Sequence, residues 1–204
     1  MNDKIIRLDP NKIDLKALNK AAEFIKQGKL VVYPTDTVYG LGTDPMNITA
    51  VNNLLLVKRR DEKKGLPILA ASLNAIKRIA KVNIQVEVLA NTYWPGPLTL
   101  ILPKLDNLPS IVTGGRDNVA VRIPQNKIAL LLTHLSNGLI IGTSANISNE
   151  ESPINAQEAI RQIGDLVDLI IDGGPSKLGI SSTVVDLTIN PPKIIRKGPI
   201  KISF

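Results

Sequence analysis

The chain has 204 residues, 44% of them hydrophobic, with 25 Lys or Arg against 18 Asp or Glu, and no cysteine. That length and apolar share support one sizeable core, and the lack of cysteine excludes disulfides, thiolate zinc sites and cysteine nucleophiles. A net charge of +7 suits polyanionic partners such as nucleotides or nucleic acid, and equally a merely soluble surface.

No stretch reads as a signal peptide or an uninterrupted spanning helix, so a cytoplasmic protein with no membrane partner is the expectation. In chain order, Asp14 to Gly28 predicts a helix, with Asp14 as cap, Gly28 as stop and Leu15, Leu18, Ala22 and Ile25 on one face. Leu30 to Tyr33 predicts a buried strand that runs into the polar loop "YPTDTVYG". Asn47 to Arg60 predicts a helix ending in a basic cluster. Ile68–Ala71, Leu98–Leu102 and Val119–Ile123 predict strands, and Lys127–Leu135 an apolar helix. Four more strands follow, at Leu139–Ile141, Leu169–Asp172, Thr183–Leu187 and Lys193–Arg196. Interleaved helices and β-branched strands imply a single α/β domain over residues 1–204, with no linker or internal repeat dividing it. Three strands run directly into polar loops, "YPTDT", "GTSANIS" and "DGGPSKLGISST", and open α/β sheets place ligands at such strand ends.

Several familiar motifs fail. "GLGTDP" has Pro45 where a dinucleotide fingerprint needs its last glycine, and no Walker A sequence occurs. Ser144 in "GTSAN" follows a strand as a nucleophile elbow would. Asn146 replaces the required glycine, however, and His134, the one histidine, lies upstream rather than last. One histidine without cysteine also argues against zinc, and no metal-ligating residues are assigned.

The remaining chemistry is basic, hydroxylic and amide-bearing. "KRRDEKKGLPI" places Lys58, Arg59, Arg60, Lys63 and Lys64 at a helix end. That is either a solvated basic C-terminus or a clamp for phosphates or carboxylates. "VAVRIP" puts Arg122 among apolar residues, where it needs a partner, either an internal carboxylate or a carboxylate ligand. "IIRKGP" repeats the pattern with Arg196.

Taken together, "YPTDTVYGLG", Lys58-x-Arg60 followed by Lys64-Gly-Leu, "WPGPLTLIL", "VAVRIP", "TSANIS", "SSTVVD" and "RKGP" occur in the order found in the threonylcarbamoyl-AMP synthases, the YrdC-like family. The resemblance covers roughly Lys4 to Pro199 and is to the short, single-domain form. It implies a twisted sheet of mixed parallel and antiparallel strands with flanking helices and a concave basic cavity. It also implies an enzyme, a nucleotidyltransferase joining L-threonine, bicarbonate and ATP, with magnesium, into threonylcarbamoyl-adenylate and pyrophosphate. A separate threonylcarbamoyl-transferase complex would then act on tRNAs reading ANN codons, and double-stranded RNA binding is a further expectation.

By the same resemblance, Lys58, Arg60, Lys64, Ser144, Asn146 and Arg196 serve ATP. Thr35, Thr37, Thr113, Arg122 and Ser182 serve threonine and the carbamate, and no residue acts as a nucleophile. The chain departs from relatives at Arg59, Arg60 and Asp61, where Gly-Arg-Pro is common, at Gly65 for proline, at Leu69 for histidine and at Asn149 for glycine. Three rival readings are a carbamoyl-adenylate-forming module, a paralogous branch of the same fold, and an RNA-binding module. The last sits poorly with 3% aromatic residues, too few for stacking platforms.

Overall fold

A computed structural model describes residues 4–202 of the chain. Within these residues the elements run β1 (Ile5–Arg7), α1 (Leu15–Lys26), β2 (Val31–Tyr33), β3 (Gly40–Gly42), α2 (Ile48–Val57), β4 (Ile68–Ala70), α3 (Leu73–Lys77) and α4 (Ile84–Tyr93). They continue with β5 (Leu98–Pro103), α5 (Ser110–Thr113), β6 (Asn118–Arg122), α6 (Lys127–Leu135), β7 (Leu139–Ile141) and β8 (Thr143–Ser144). The chain then forms α7 (Ala156–Ile163), β9 (Leu169–Asp172), β10 (Thr183–Asp186) and β11 (Lys193–Arg196). Helix starts are written in short polar side chains. Asp14, Asn47, Ser72, Asn83, Asn126 and Asn155 each accept a hydrogen bond from a backbone N–H in the first turn that follows.

The strands form two mixed sheets, ordered β1-β9-β2-β3-β8 and β11-β10-β5-β6-β4-β7. In the first, β1, β9 and β2 are parallel while β3 runs antiparallel to both β2 and β8. In the second, β10 with β5 and β6 with β4 are parallel, and the other pairings are antiparallel. Strand side chains alternate between faces. Val32, Leu41 and Ile170 enter the larger apolar cluster with Leu100, Val121 and Val185 of the second sheet. Val31, Tyr33, Leu169 and Ile171 turn the other way, onto Leu18 and Ile25 of α1 and Ile128 and Leu132 of α6.

The two sheets meet at Gly142, the single residue between β7 and β8, where the chain leaves one sheet for the other. A Cβ there would collide with the Leu69 side chain. Nearby, the Ile141 N–H donates to Thr43 O at 3.0 Å, a backbone tie between the sheets.

Several expected elements recur with shifted ends, and two differences have clear causes. Leu15 is 57% exposed, not part of the buried face of α1. That face is centred on Leu18, Ala21, Ala22 and Ile25, and Leu15 lies roughly 70° around the helix from its centre at about 100° per residue. Helix α2 stops at Val57 instead of Arg60. Arg59 adopts a left-handed φ of 48°, and the Arg60 N–H reaches back to Leu55 O at 2.9 Å while the Arg59 N–H bonds Leu56 O. This is a Schellman closure, and it ends the helix and turns Arg60 away from its axis. Helices α3, α4, α5 and α7 and strands β1, β3 and β8 are absent from the expected elements. For α7 the signal was present: Asn155 accepts from the Glu158 N–H at 2.8 Å and Glu158 reaches back to the Ile154 N–H at 2.8 Å, in the manner of a capping box.

Strand β3, "GLG", looks like a loop because glycine weakens strands. The fully buried Tyr33 ring explains it. Its hydroxyl donates to Ile141 O at 2.8 Å, and the ring lies so close that a Cβ on Gly40 or Gly42 would stand 2.8 Å from ring carbons. Gly42→Ala is therefore expected to destabilise the fold by about 1–3 kcal/mol through overpacking, lowering the melting temperature by roughly 2–12 °C for a chain of this size. Thermal unfolding checks this; an unchanged melting temperature would mean that Tyr33 does not pin β3.

Candidate active site

A cavity of about 260 Å³ opens where the two sheets face each other, walled by Thr37, Arg60, Leu69, Thr99, Arg122, Gly142, Ser144, Ser182 and Arg196 among others. Each side chain arrives from a different element. Thr37 comes from the loop between β2 and β3, Arg60 from the turn after α2, Leu69 from β4 and Thr99 from β5. Arg122 closes β6, Ser144 lies on β8, Ser182 precedes β10 and Arg196 closes β11. A larger hollow of about 580 Å³ adjoins it, sharing Val38 and Ser181 and lined further by Ile154, Arg161, Gln162 and Ile180. The wall of the smaller cavity carries three arginines and no carboxylate. Burial lowers the pKa of all three guanidiniums; Arg116 adds to the effect at Arg60, and Arg122 to that at Arg196. Guanidinium nevertheless stays charged at neutral pH, so the cavity concentrates positive charge.

Arg122 resolves the question of its partner. Its Nη2 donates to Asp36 Oδ1, its Nη1 to Thr37 Oγ1 at 2.8 Å and its Nε to Gly96 O at 2.9 Å. Asp36 Oδ1 also accepts from the Gln125 N–H at 3.1 Å. The partner is an internal carboxylate, and the pair is buried, with side-chain exposures of 7% and 3%. Three of the five guanidinium donors are used in this way, which leaves two for a ligand in the cavity that Arg122 lines.

The hydroxyls form two relays. Thr35 Oγ1 donates to Val38 O at 2.6 Å and accepts from the Thr37 N–H at 3.1 Å, so it shapes the turn and supports Thr37 from behind. On the opposite wall, Ser182 Oγ lies 2.7 Å from Thr99 Oγ1 and accepts from Arg196 Nη2 at 3.1 Å, while Arg196 Nε bonds Ser182 O at 2.9 Å. Arg60 is braced by its own loop, donating to Lys64 O at 3.1 Å and Gly65 O at 2.9 Å.

Of the residues singled out in the sequence, the structure brings Thr37, Arg60, Arg122, Ser144, Ser182 and Arg196 to one cavity. The other five lie outside its wall. Thr35 is buried beneath Thr37, and Lys64 is exposed on the loop rim. Thr113 is the last residue of α5, donates to Arg116 O at 2.8 Å, and lines a separate hollow with Arg116 and Asn118. Asn146 is buried behind Ser144, its amide nitrogen donating to Glu150 O at 2.6 Å. Lys58 is 1% exposed, with its ammonium turned to the carbonyls of Ser144 and Asn146 at 2.6 and 2.7 Å. Burial, and secondarily the charge of Arg60, pull its pKa down to about 7. Sequence reasoning gave no role to Asp36 or Thr99. The signals were there, since a strand-borne arginine demands an anion and "LTLIL" puts a hydroxyl among apolar residues.

The chain matches the model of the Sua5/YciO/YrdC family, described as telomere recombination, over residues 23–198. The chain belongs to this family. Among curated family members it is 45% identical over 179 residues to the threonylcarbamoyl-AMP synthase of Pyrococcus abyssi, covering 87% of this chain and 53% of that protein. It is 34% identical over 206 residues to the putative threonylcarbamoyl-AMP synthase of Methanocaldococcus jannaschii, covering 99% of this chain and 96% of that one. Among solved structures, P. abyssi Sua5 complexed with L-threonine superposes with a TM-score of 0.92 at 42% identity, over 94% of this chain and 56% of that chain. The chain thus spans about half the length of the Pyrococcus family member.

The buried pair generates a stability prediction. Arg122→Met strands the Asp36 carboxylate and is expected to destabilise by about 3–5 kcal/mol, whereas Asp36→Asn with Arg122→Met removes both charges and should recover most of that loss. Urea unfolding of the two variants decides it. Equal destabilisation by both would mean that the charge pairing is not what matters.

Proposed function

We propose that this chain activates threonine as threonylcarbamoyl-adenylate, using bicarbonate and ATP and releasing pyrophosphate. The observation that carries the reading is the close likeness to a family member described in complex with L-threonine. The synthase names of curated relatives support it, as does the chemistry of the cavity wall. The YrdC-fold paralogue and carbamoyl-adenylate readings find less support, since those names specify threonine. The adenylate would pass to a threonylcarbamoyl-transferase complex acting on tRNA.

The reaction needs no protein nucleophile. The threonine amine adds to carbon dioxide and gives up a proton, or displaces the hydroxyl of bicarbonate, which leaves with an amine proton as water; either route forms the carbamate. A carbamate oxygen then attacks the α-phosphorus, the bond to the bridging oxygen breaks, and pyrophosphate leaves with that electron pair. In this scheme Arg122, Thr37, Thr99 and Ser182 receive the amino acid. Arg60 and Lys64 draw the phosphates, Arg196 and Ser144 stand between the two, and the adjoining hollow has room for the rest of the nucleotide. Fixed guanidiniums oppose the negative charge that builds on phosphate oxygens. Holding the carbamate in line contributes through proximity.

Magnesium is proposed to arrive with ATP. Among the described residues no three His, Cys, Asp or Glu side chains gather as a metal site; the wall of the smaller cavity has no carboxylate, and the adjoining hollow has only Glu151 and Glu158. These residues do not fit a protein-held ion. The phosphate oxygens would carry it, and no step above runs through it.

Three outcomes test the reading. Pyrophosphate release should require both threonine and bicarbonate. Threonine should be favoured over serine by roughly 10–200-fold in specificity, the worth of one methyl, and valine should be rejected more strongly because it leaves paired hydroxyls unsatisfied. Equal use of valine would remove the hydroxyl relays from the amino-acid site. Arg60→Ala should lower turnover about ten- to a hundredfold, as expected for loss of a charge-assisted contact of roughly 1.5–3 kcal/mol. Wild-type turnover in that variant would return Arg60 to the role of a solvated helix end.

A further inference from the structure

Lys58 is a buried cation that faces protein, not the cavity. Its Nζ donates to Ser144 O at 2.6 Å, Asn146 O at 2.7 Å and Asn146 Oδ1 at 3.2 Å, so all three ammonium donors are spent on a single loop. Its own carbonyl accepts from the Ser148 N–H at 2.8 Å. One residue therefore grips the loop at both ends, from Ser144 to Ser148. The rest of the loop repeats the theme: Ser144 Oγ donates to Asn146 Oδ1, and the Asn146 amide ties to Glu150 O. Two residues beyond Lys58, past the left-handed turn at Arg59, Arg60 enters the cavity wall.

We propose that Lys58 is a positioning residue, a latch that fixes the Ser144–Ser148 loop against the arginine turn after α2, and that it does not touch the phosphates. Three carbonyl-type acceptors 2.6–3.2 Å from one ammonium match its three donors one for one. An ammonium so engaged has no donor left for a phosphate oxygen. Buried acceptors that lose their donor are costly to leave unpaired, so removing Lys58 should release the loop and displace Ser144 from the cavity wall. Burial lowers the pKa of this lysine, and hydrogen bonds to three acceptors favour the charged form against that desolvation.

The test has a structural arm and a kinetic arm, and only the second rests on the adenylate-forming reading. In ligand-free protein, Lys58→Met should speed hydrogen exchange at the Ala145, Ile147 and Ser148 amides at least tenfold and leave the amides of α1 and α6 unchanged. Unchanged exchange in the loop would overturn the proposal. Lys58→Gln, which keeps two amide donors without charge, gives a smaller acceleration of the same amides and serves if Lys58→Met does not fold. In the kinetic arm, Lys58→Met should lower turnover ten- to a hundredfold in the wild-type background. In a Ser144→Ala/Asn146→Ala background, where the loop no longer presents the Ser144 hydroxyl or the Asn146 amide, it should cost less than threefold. Arg60→Ala should cost about the same in both backgrounds. A full loss from Lys58→Met in the loop-stripped background would mean that the ammonium contacts substrate directly and would refute the latch. Absence of any threonine-dependent turnover in the wild-type protein would instead sink the adenylate-forming reading and leave the exchange result to judge the latch.

Discussion

The buried ion pair between Asp36 and Arg122 is the interaction around which the cavity is arranged. Asp36 lies in the loop that leaves β2 of the first sheet, and Arg122 closes β6 of the second. Their contact therefore crosses from sheet to sheet at the floor of the cavity. Desolvating two charges is costly, and a buried pair is weak evidence of stability in itself. What it supplies here is position: the guanidinium is fixed by a carboxylate, a threonine hydroxyl and the Gly96 carbonyl. A cation held in this way faces its ligand without having to be reorganised, which is the property electrostatic catalysis depends on.

The neighbouring features extend the same constraint. Thr35 turns the chain so that Thr37 meets Arg122, and Tyr33, packed across two glycines, holds β3 against β2 and reaches the second sheet through Ile141 O. β3 in turn pairs with β8 through Gly40 and Ser144, so the "YPTDTVYGLG" segment also places the Ser144 loop. Two threonine hydroxyls, a carboxylate and two phenols in one short stretch thus have separate duties. The phenol of Tyr39 anchors the Gly173–Gly174 turn, donating to Gly174 O at 2.6 Å, and burial pushes its pKa up to about 12. Opposite, the Arg196–Ser182–Thr99 relay gives the second sheet a matching polar wall.

Much of this was legible in the residues, for identifiable reasons. Caps and apolar periodicity located α1, α2 and α6, and β-branched runs located β2, β4, β5, β6, β7, β9, β10 and β11, because those signals are local. β3 was hidden because its glycines answer to a tyrosine packed on them. Short helices such as α3 and α5 carry too few turns for a period to show. In the site, the order of motifs pointed to Thr37, Arg60, Arg122, Ser144, Ser182 and Arg196, which share one wall. The aim of a long side chain was not legible. Lys58 and Arg60 stand two apart in a basic run, yet a left-handed turn sends one into the protein and the other to the cavity. Asp36 could be read as a loop carboxylate, but only three-dimensional proximity makes it the counter-ion of Arg122 across 86 residues of chain.

The proposed function rests on this pair: a cavity floor set by Asp36 and Arg122 would receive threonine so that its carbamate can be adenylated. The direct measurement is mass-spectrometric detection of threonylcarbamoyl-adenylate from purified protein, ATP, magnesium, bicarbonate and threonine. Wild-type protein and the Asp36→Asn/Arg122→Met variant, matched for folded fraction, would be compared. The account predicts the adenylate from the wild-type chain and at least a hundredfold less from the variant. No adenylate from the wild-type chain, or equal amounts from both, would contradict it.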